Sequence, residues 1–169
     1  MSYDISSAVH LLISQQTEVT NLVGTNIFTD QIPQTASGPL IVIWTITETP
    51  FNQLSGALGM DQARIQFDAY GTSRPQANDI AWNIWVALDA FQGVVGGVQI
   101  KETSRASGVR SVADRVLGGS DQYRFIATQD ILFTYCSRPV SYDPGGILKS
   151  GYWDDTATGD DTSYWNDGP

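Results

Sequence analysis

Residues 63–91 read ARIQFDAYGTSRPQANDIAWNIWVALDAF, and the period of their apolar side chains changes once along the stretch. From Ala63 to Tyr70 the period is two: Ala63, Ile65, Phe67 and Ala69 fall on one face, and Arg64, Gln66, Asp68 and Tyr70 on the other. That alternation predicts a strand with one packed face and one face that is wet or meets a neighbour. From Ala77 the period becomes helical, with Ala77, Ile80, Ala81, Ile84, Leu88 and Phe91 in one stripe. The junction carries helix-start chemistry: Ser73 as N-cap, Pro75 in the first turn, and Gln76 placed to complete a capping box. Gly93 predicts the end of this helix. Trp82 and Trp85 flank the stripe and are more than one sheet face requires, so they read either as large core residues or as a contact with another subunit.

Upstream, Leu40-Ile41-Val42-Ile43-Trp44-Thr45-Ile46-Thr47 is β-branched and aromatic over a strand's length, with Pro39 before it and Pro50 closing it. Residues 4–16 set Ile5, Ala8, Val9, Leu12 and Ile13 on one face of an amphipathic helix. A short apolar turn at Val19 to Val23 ends in Gly24, and Asn26 to Thr29 fits a brief strand. Between the two strong strands, Phe51 to Met60 reads as a loop, because Leu54-Ser55-Gly56 and Gly59 interrupt it. Downstream, Val94 to Glu102 predicts a strand returning at the Gly96-Gly97 turn, and Thr103 to Gln122 a long arm holding Arg105, Arg110 and Arg115. Tyr123 to Cys136 predicts a long last strand, bulged near Gln129-Asp130 where the alternation shifts. This order predicts an α/β (α+β) fold: a single mixed, mainly antiparallel sheet with two main helices packed on one face.

A chain of 169 residues can bury a core without staples. Its single cysteine, Cys136, lies in an apolar run, so no internal disulfide forms; it reads as a small buried hydrophobe in a reducing compartment. The start, Met1-Ser2-Tyr3-Asp4-Ile5, has no basic or apolar signal, and no run of eighteen apolar residues occurs, which predicts a soluble protein made in a cytoplasm. Charge divides the chain. Residues 1–138 carry twelve acidic and eight basic residues, whereas residues 139–169 carry six Asp and only Lys149. Two regions are expected: a folded domain over 1–138 and an acidic C-terminal extension over 139–169. The acidic balance excludes a protein that grips nucleic acid by neutralising phosphates, yet it suits a channel through which DNA slides without sticking.

Enzyme chemistry has little to stand on. His10 is the lone histidine, within the first helix and without a ligand partner in metal spacing, so it reads as structural or solvated. The glycines of Gly93 to Gly97 match neither a phosphate loop nor a dinucleotide fingerprint. Asp154 to Asp161 has the glycine of a calcium loop, but Trp165 stands where the bidentate Glu belongs, and it reads as a solvated acidic turn. No catalytic residue, metal or cofactor is therefore expected. The extension does carry a repeat: Tyr152-Trp153-Asp154-Asp155 returns as Tyr164-Trp165-Asn166-Asp167. It reads either as a solvated acidic tail or as a docking device with Trp153 and Trp165 as aromatic anchors.

The N-terminal helix, Val23-Gly24, Pro39-Leu40-Ile41-Val42, Thr49-Pro50, Leu54-Ser55-Gly56, the Ala63 to Tyr70 strand, Thr72-Ser73 with Ala77, and Tyr123-Arg124 through Asp130-Ile131-Leu132-Phe133 follow one another in an ordered pattern. Over residues 1 to about 138 that pattern resembles the siphophage tail completion family, which includes relatives of the lambda tail terminator. The resemblance implies a structural virion protein, not an enzyme, that forms a hexameric ring at the head-proximal end of the tail tube. Such a ring stops tail polymerisation and joins the tail to the head connector. Implied partners are further copies of the chain, the tail tube protein and the stopper or adaptor of the connector. DNA would pass through the lumen without specific binding, no membrane is involved, and the place is the virion neck.

Another neck ring, a stopper or adaptor, fits the composition equally, while a small enzyme or ligand-binding domain is disfavoured by the lack of convergent polar residues. A ring also suits exposed strand edges, which polymerise without limit unless rotation closes the contact. The residues expected to meet partners or other subunits are Phe51, Leu54 and Met60 of the apolar loop and Arg105, Arg110 and Arg115 of the basic arm, whose guanidiniums can fork onto carboxylates.

Overall fold

The computed structural model describes residues 4–53, 56–115 and 123–136. In chain order these form α1 (Ile5–Ser14), α2 (Thr17–Val23), β1 (Ile27–Thr29), β2 (Leu40–Gln53), β3 (Gly56–Gly71), α3 (Arg74–Leu88), β4 (Gly93–Val95), β5 (Val98–Arg105), β6 (Arg110–Arg115) and β7 (Tyr123–Cys136). The strands build one seven-stranded sheet in the order β1-β2-β3-β7-β5-β4, with β6 also paired to β7. Every pairing is antiparallel except β1 with β2. The sheet is thus mixed and mainly antiparallel, as expected. A third helix joins the two main ones because Thr17–Val23 closes into a helix rather than a turn.

One face of the sheet holds the core. Ile41, Ala69 and Ala127 lie in one cross-strand row, and Phe67 and Phe133 stack at a tilt with centroids 6.5 Å apart. Against them pack Ile5, Ala8, Val9, Leu12 and Ile13 of α1 and Ala77, Ile80, Ala81, Ile84 and Leu88 of α3, all buried. Each large apolar side chain removed from water in this way contributes roughly 1.5–3 kcal/mol. The alternation of β3 is the one expected, with Ala63, Ile65, Phe67 and Ala69 fully buried.

Local polar contacts set the helix ends. Asp4 Oδ1 accepts the Ser6 amide at 3.0 Å, and Ser73 Oγ accepts the Gln76 amide at 3.3 Å. Gln76 Oε1 reaches back to the amide and hydroxyl of Thr72, at 2.8 and 2.9 Å, so the capping box closes one residue earlier than the sequence pattern implies. The C-terminal end of α3 differs from expectation. It falls at Leu88, not at Gly93, because the Thr103 hydroxyl donates to the Leu88 carbonyl and accepts the Phe91 amide at 2.8 Å. Gly93 instead opens β4, and Gly96 and Gly97, both at positive φ, make the two-residue turn into β5.

Two segments read as loops are extended. Phe51 to Met60 is the far end of a long hairpin, in which β2 continues to Gln53 and β3 starts at Gly56. Ladder pairing satisfies backbone groups there that a loop leaves to water. Within the Thr103 to Gln122 arm, Arg110–Arg115 forms β6. The expected bulge in β7 is absent from its pairing with β3, which runs without a shift from Met60↔Cys136 to Gly71↔Phe125. The alternation shifts in sequence because the core-facing position 129 holds a polar Gln, fully buried. The interruption lies in the partner instead: β5 stops at Arg105 opposite Ile131 and β6 resumes at Arg110 opposite Thr128. Between them the Ala106 and Ser107 amides donate to the Asp130 carbonyl at 2.9 and 3.3 Å, and the Asp130 amide donates to Ser107 Oγ at 3.0 Å.

Candidate functional site

The polar groups of the framework are engaged with one another. On the sheet face away from the helices, Asp68 accepts from Trp44 Nε1 at 2.9 Å, Gln66 Nε2 at 3.0 Å and Thr128 Oγ1 at 2.7 Å. On the same face Arg64 pairs with Asp130, its Nε at 2.9 Å from Oδ2. Within the core, Gln129 donates to the Ala81 carbonyl of α3 at 2.6 Å and accepts from Arg105 at 3.3 Å. Tyr135 donates to Glu48 at 3.2 Å, and burial first, then the Glu48 charge, hold its phenol well above the ordinary range. His10 bonds the Ile27 carbonyl at 3.0 Å, tying α1 to β1, which is the structural one of the two roles, structural or solvated, that the sequence left open. Cys136 is half-buried and donates to Gln99 at 3.5 Å. Among the described residues no buried side-chain nitrogen or oxygen lacks a partner, and no cluster of His, Cys, Asp and Glu could hold a metal.

Several large apolar side chains are exposed, among them Leu11, Val94 and Val112 and two groups on β2 and on α3 with the turn before β6. Trp82 is 58 % exposed, so the core reading fails for it. Trp85, three residues on, is half-buried against the core and carries the Arg105 guanidinium 4.5 Å above its ring. Val86, one helical turn from Trp82, and Val109 are exposed too, and Asn78, Asp79, Trp82, Val109 and Ser111 line an open groove. On the opposite flank the register of β2 with β3 slips between Thr45 and Thr47 and again between Pro50 and Asn52. At the first slip the residue left over is Ile46, 47 % exposed; at the second the extra residues, 58–60, belong to β3 and lie opposite the single Phe51, which is 37 % exposed. A bulge re-aims a single side chain, and the one in β2 leaves Ile46 exposed.

The residues named from sequence fall on both flanks. Phe51 is an exposed residue of β2, and Met60 is half-buried where β3 meets Cys136 of β7. Arg105 ends β5 and is spent on Trp85 and Gln129, whereas Arg110 opens β6 and is exposed. Arg115 closes β6, with its side chain outside the described ones. Leu54, Trp153 and Trp165 lie outside the described residues. The sequence reading missed Ile46, Val86 and Val109. Nothing in a β-branched run marks where a bulge falls, and Val86 is a single residue off the helix stripe.

A sheet covered by helices on one face, with no metal cluster among the described residues and exposed apolar side chains on β2, α3 and the turn before β6, fits the class of a structural subunit. The chain belongs to the tail completion protein gp17 family, whose model matches residues 7–124. Membership of that family makes it a bacteriophage tail structural protein. No curated protein sequence matches it significantly. Its fold is shared by a chain in the virion of a native gene transfer agent (GTA) particle, with a TM-score of 0.59 and 16 % identity over 78 % of this chain and 94 % of that one. No helix among the described residues is long and apolar enough to cross a membrane.

Proposed function

We propose that copies of this chain close into a hexameric ring on the head-proximal end of the tail tube, where the ring stops tube growth and receives the head connector. Membership of the tail completion family carries this reading. The presentation of apolar side chains at both flanks supports it, since a heterologous contact that does not close on itself by rotation yields an open filament. In the ring, further copies occupy the flanks, the tube protein one rim and a stopper or adaptor the other. DNA passes through the lumen unbound, because a net charge of −9 gives phosphates little to hold. The folded part ends near Arg138, and residues 139–169, with Trp153 and Trp165, form a separate attachment element. Negative-stain images of the purified chain with and without tail tubes test the proposal. Sixfold rings seated on one end of the tubes are the expected result; twelvefold rings would make it an adaptor, and a persistent monomer would end the ring reading.

A further inference from the structure

Which surfaces of two copies meet can be read from the strand edges, granted the ring just proposed. One flank of the sheet is β2. β1 pairs only with Ile41–Ile43, so from Trp44 to Gln53 the outer edge of β2 has no strand partner among the described residues. Along this edge Ile46, at the bulge, and Phe51 are both exposed, and Pro50 between them has no N–H to offer a neighbouring strand. Bulges and proline both spoil an edge as a template for further pairing. The edge is therefore built to present side chains rather than backbone, and exposed Glu48 sits between its two apolar projections.

The other flank is β6 with the outer surface of α3. β3 pairs with β7 along Phe125–Cys136, so β6 occupies the opposite edge of β7, and its own outer edge has no strand partner among the described residues. Beside it lie the exposed Trp82 and Val86 and the groove with Val109. Arg105 and Arg110 stand at the two ends of the turn that carries Val109, both exposed. The β2 flank has the complement: apolar, acidic, apolar. β2 runs parallel to β7 and β6 antiparallel to it, so within one copy the two flanks run in opposite senses.

We propose that the β2 arm of one copy seats Ile46 and Phe51 on the Trp82, Val86 and Val109 surface of a second copy, with Glu48 facing Arg110, repeated head to tail until the ring closes. An exposed indole beside a groove is the type of side chain that dominates such contacts.

The test uses two full-length variants: an arm variant, Ile46→Asp with Phe51→Asp, and a face variant, Trp82→Ser with Val109→Asp. All four positions are exposed, so thermal melts by circular dichroism should match the parent chain. Light scattering should find each variant monomeric where the parent forms rings. An equimolar mixture should double in mass to a dimer, because the arm variant keeps its face and the face variant its arm. Variants that still form rings overturn this contact and leave the ring reading standing. Monomeric variants whose mixture stays monomeric overturn the head-to-tail pairing. A parent chain that forms no ring removes the ring reading and this contact with it.

Discussion

Gln129 is a fully buried amide in the strand at the middle of the sheet, and substituting it separates what its volume contributes from what its hydrogen bonds contribute. Gln129→Met keeps the shape but loses the 2.6 Å bond to the Ala81 carbonyl and the longer one from Arg105. The Ala81 carbonyl lies inside α3 and keeps its helical partner, so no group is stranded and the loss is about 1 kcal/mol. Gln129→Ala loses the same bonds and leaves a cavity against Ala81, for roughly 2–4 kcal/mol by analogy with other large-to-small core changes. Gln129→Glu sets a carboxylate against that carbonyl with only Arg105 to offset it, which costs about 3 kcal/mol or more. Urea midpoints at constant slope measure all three, repeated at several protein concentrations because assembly adds to apparent stability. A Met variant as weak as the Ala variant would show that the bond, not the packing, dominates. A neutral Glu variant would contradict the burial of position 129 altogether.

Thr103→Val should lower stability by about 1–2 kcal/mol in the same urea assay, because it removes the hydroxyl that closes the end of α3, whereas Thr103→Ser keeps most of it. At Gly71 an added Cβ would sit 2.7 Å from the Ala77 backbone nitrogen, so Gly71→Ala should cost about 1–3 kcal/mol of thermal stability through overpacking. The phenol of Tyr135 is raised above its unfolded value, so its contribution is complete below pH of about 10 and is lost as pH rises beyond that. Ultraviolet titration of the folded chain should therefore leave Tyr135 neutral after exposed tyrosines ionise, and Glu48→Gln should bring its ionisation to lower pH.

Where one local pattern decides an element, the sequence was sufficient. Period two over Ala63 to Ala69, the helical stripes of α1 and α3, the Ser73 cap and the Gly96-Gly97 turn all reappear in the structure. Where a distant partner decides, it was not. The end of α3 depends on Thr103, fifteen residues from Leu88. The β2–β3 ladder extends to Gln53↔Gly56 because each strand supplies the other's backbone partners. Gln129 looked like a break in β7 because its justification, the Ala81 carbonyl, comes from another element. For the surfaces, the composition of Phe51 and Arg110 pointed to them, while Ile46 and Val109 became visible only through register and exposure.

Tail tube protein polymerised with increasing amounts of this chain, with tube lengths measured by electron microscopy, puts the central claim to its most direct test. Tubes should shorten as the chain is added, each arrested at one end by a ring, and should not resume growth when fresh tube protein is supplied at that end. Tubes of unchanged length whose ends bear no ring would contradict the account.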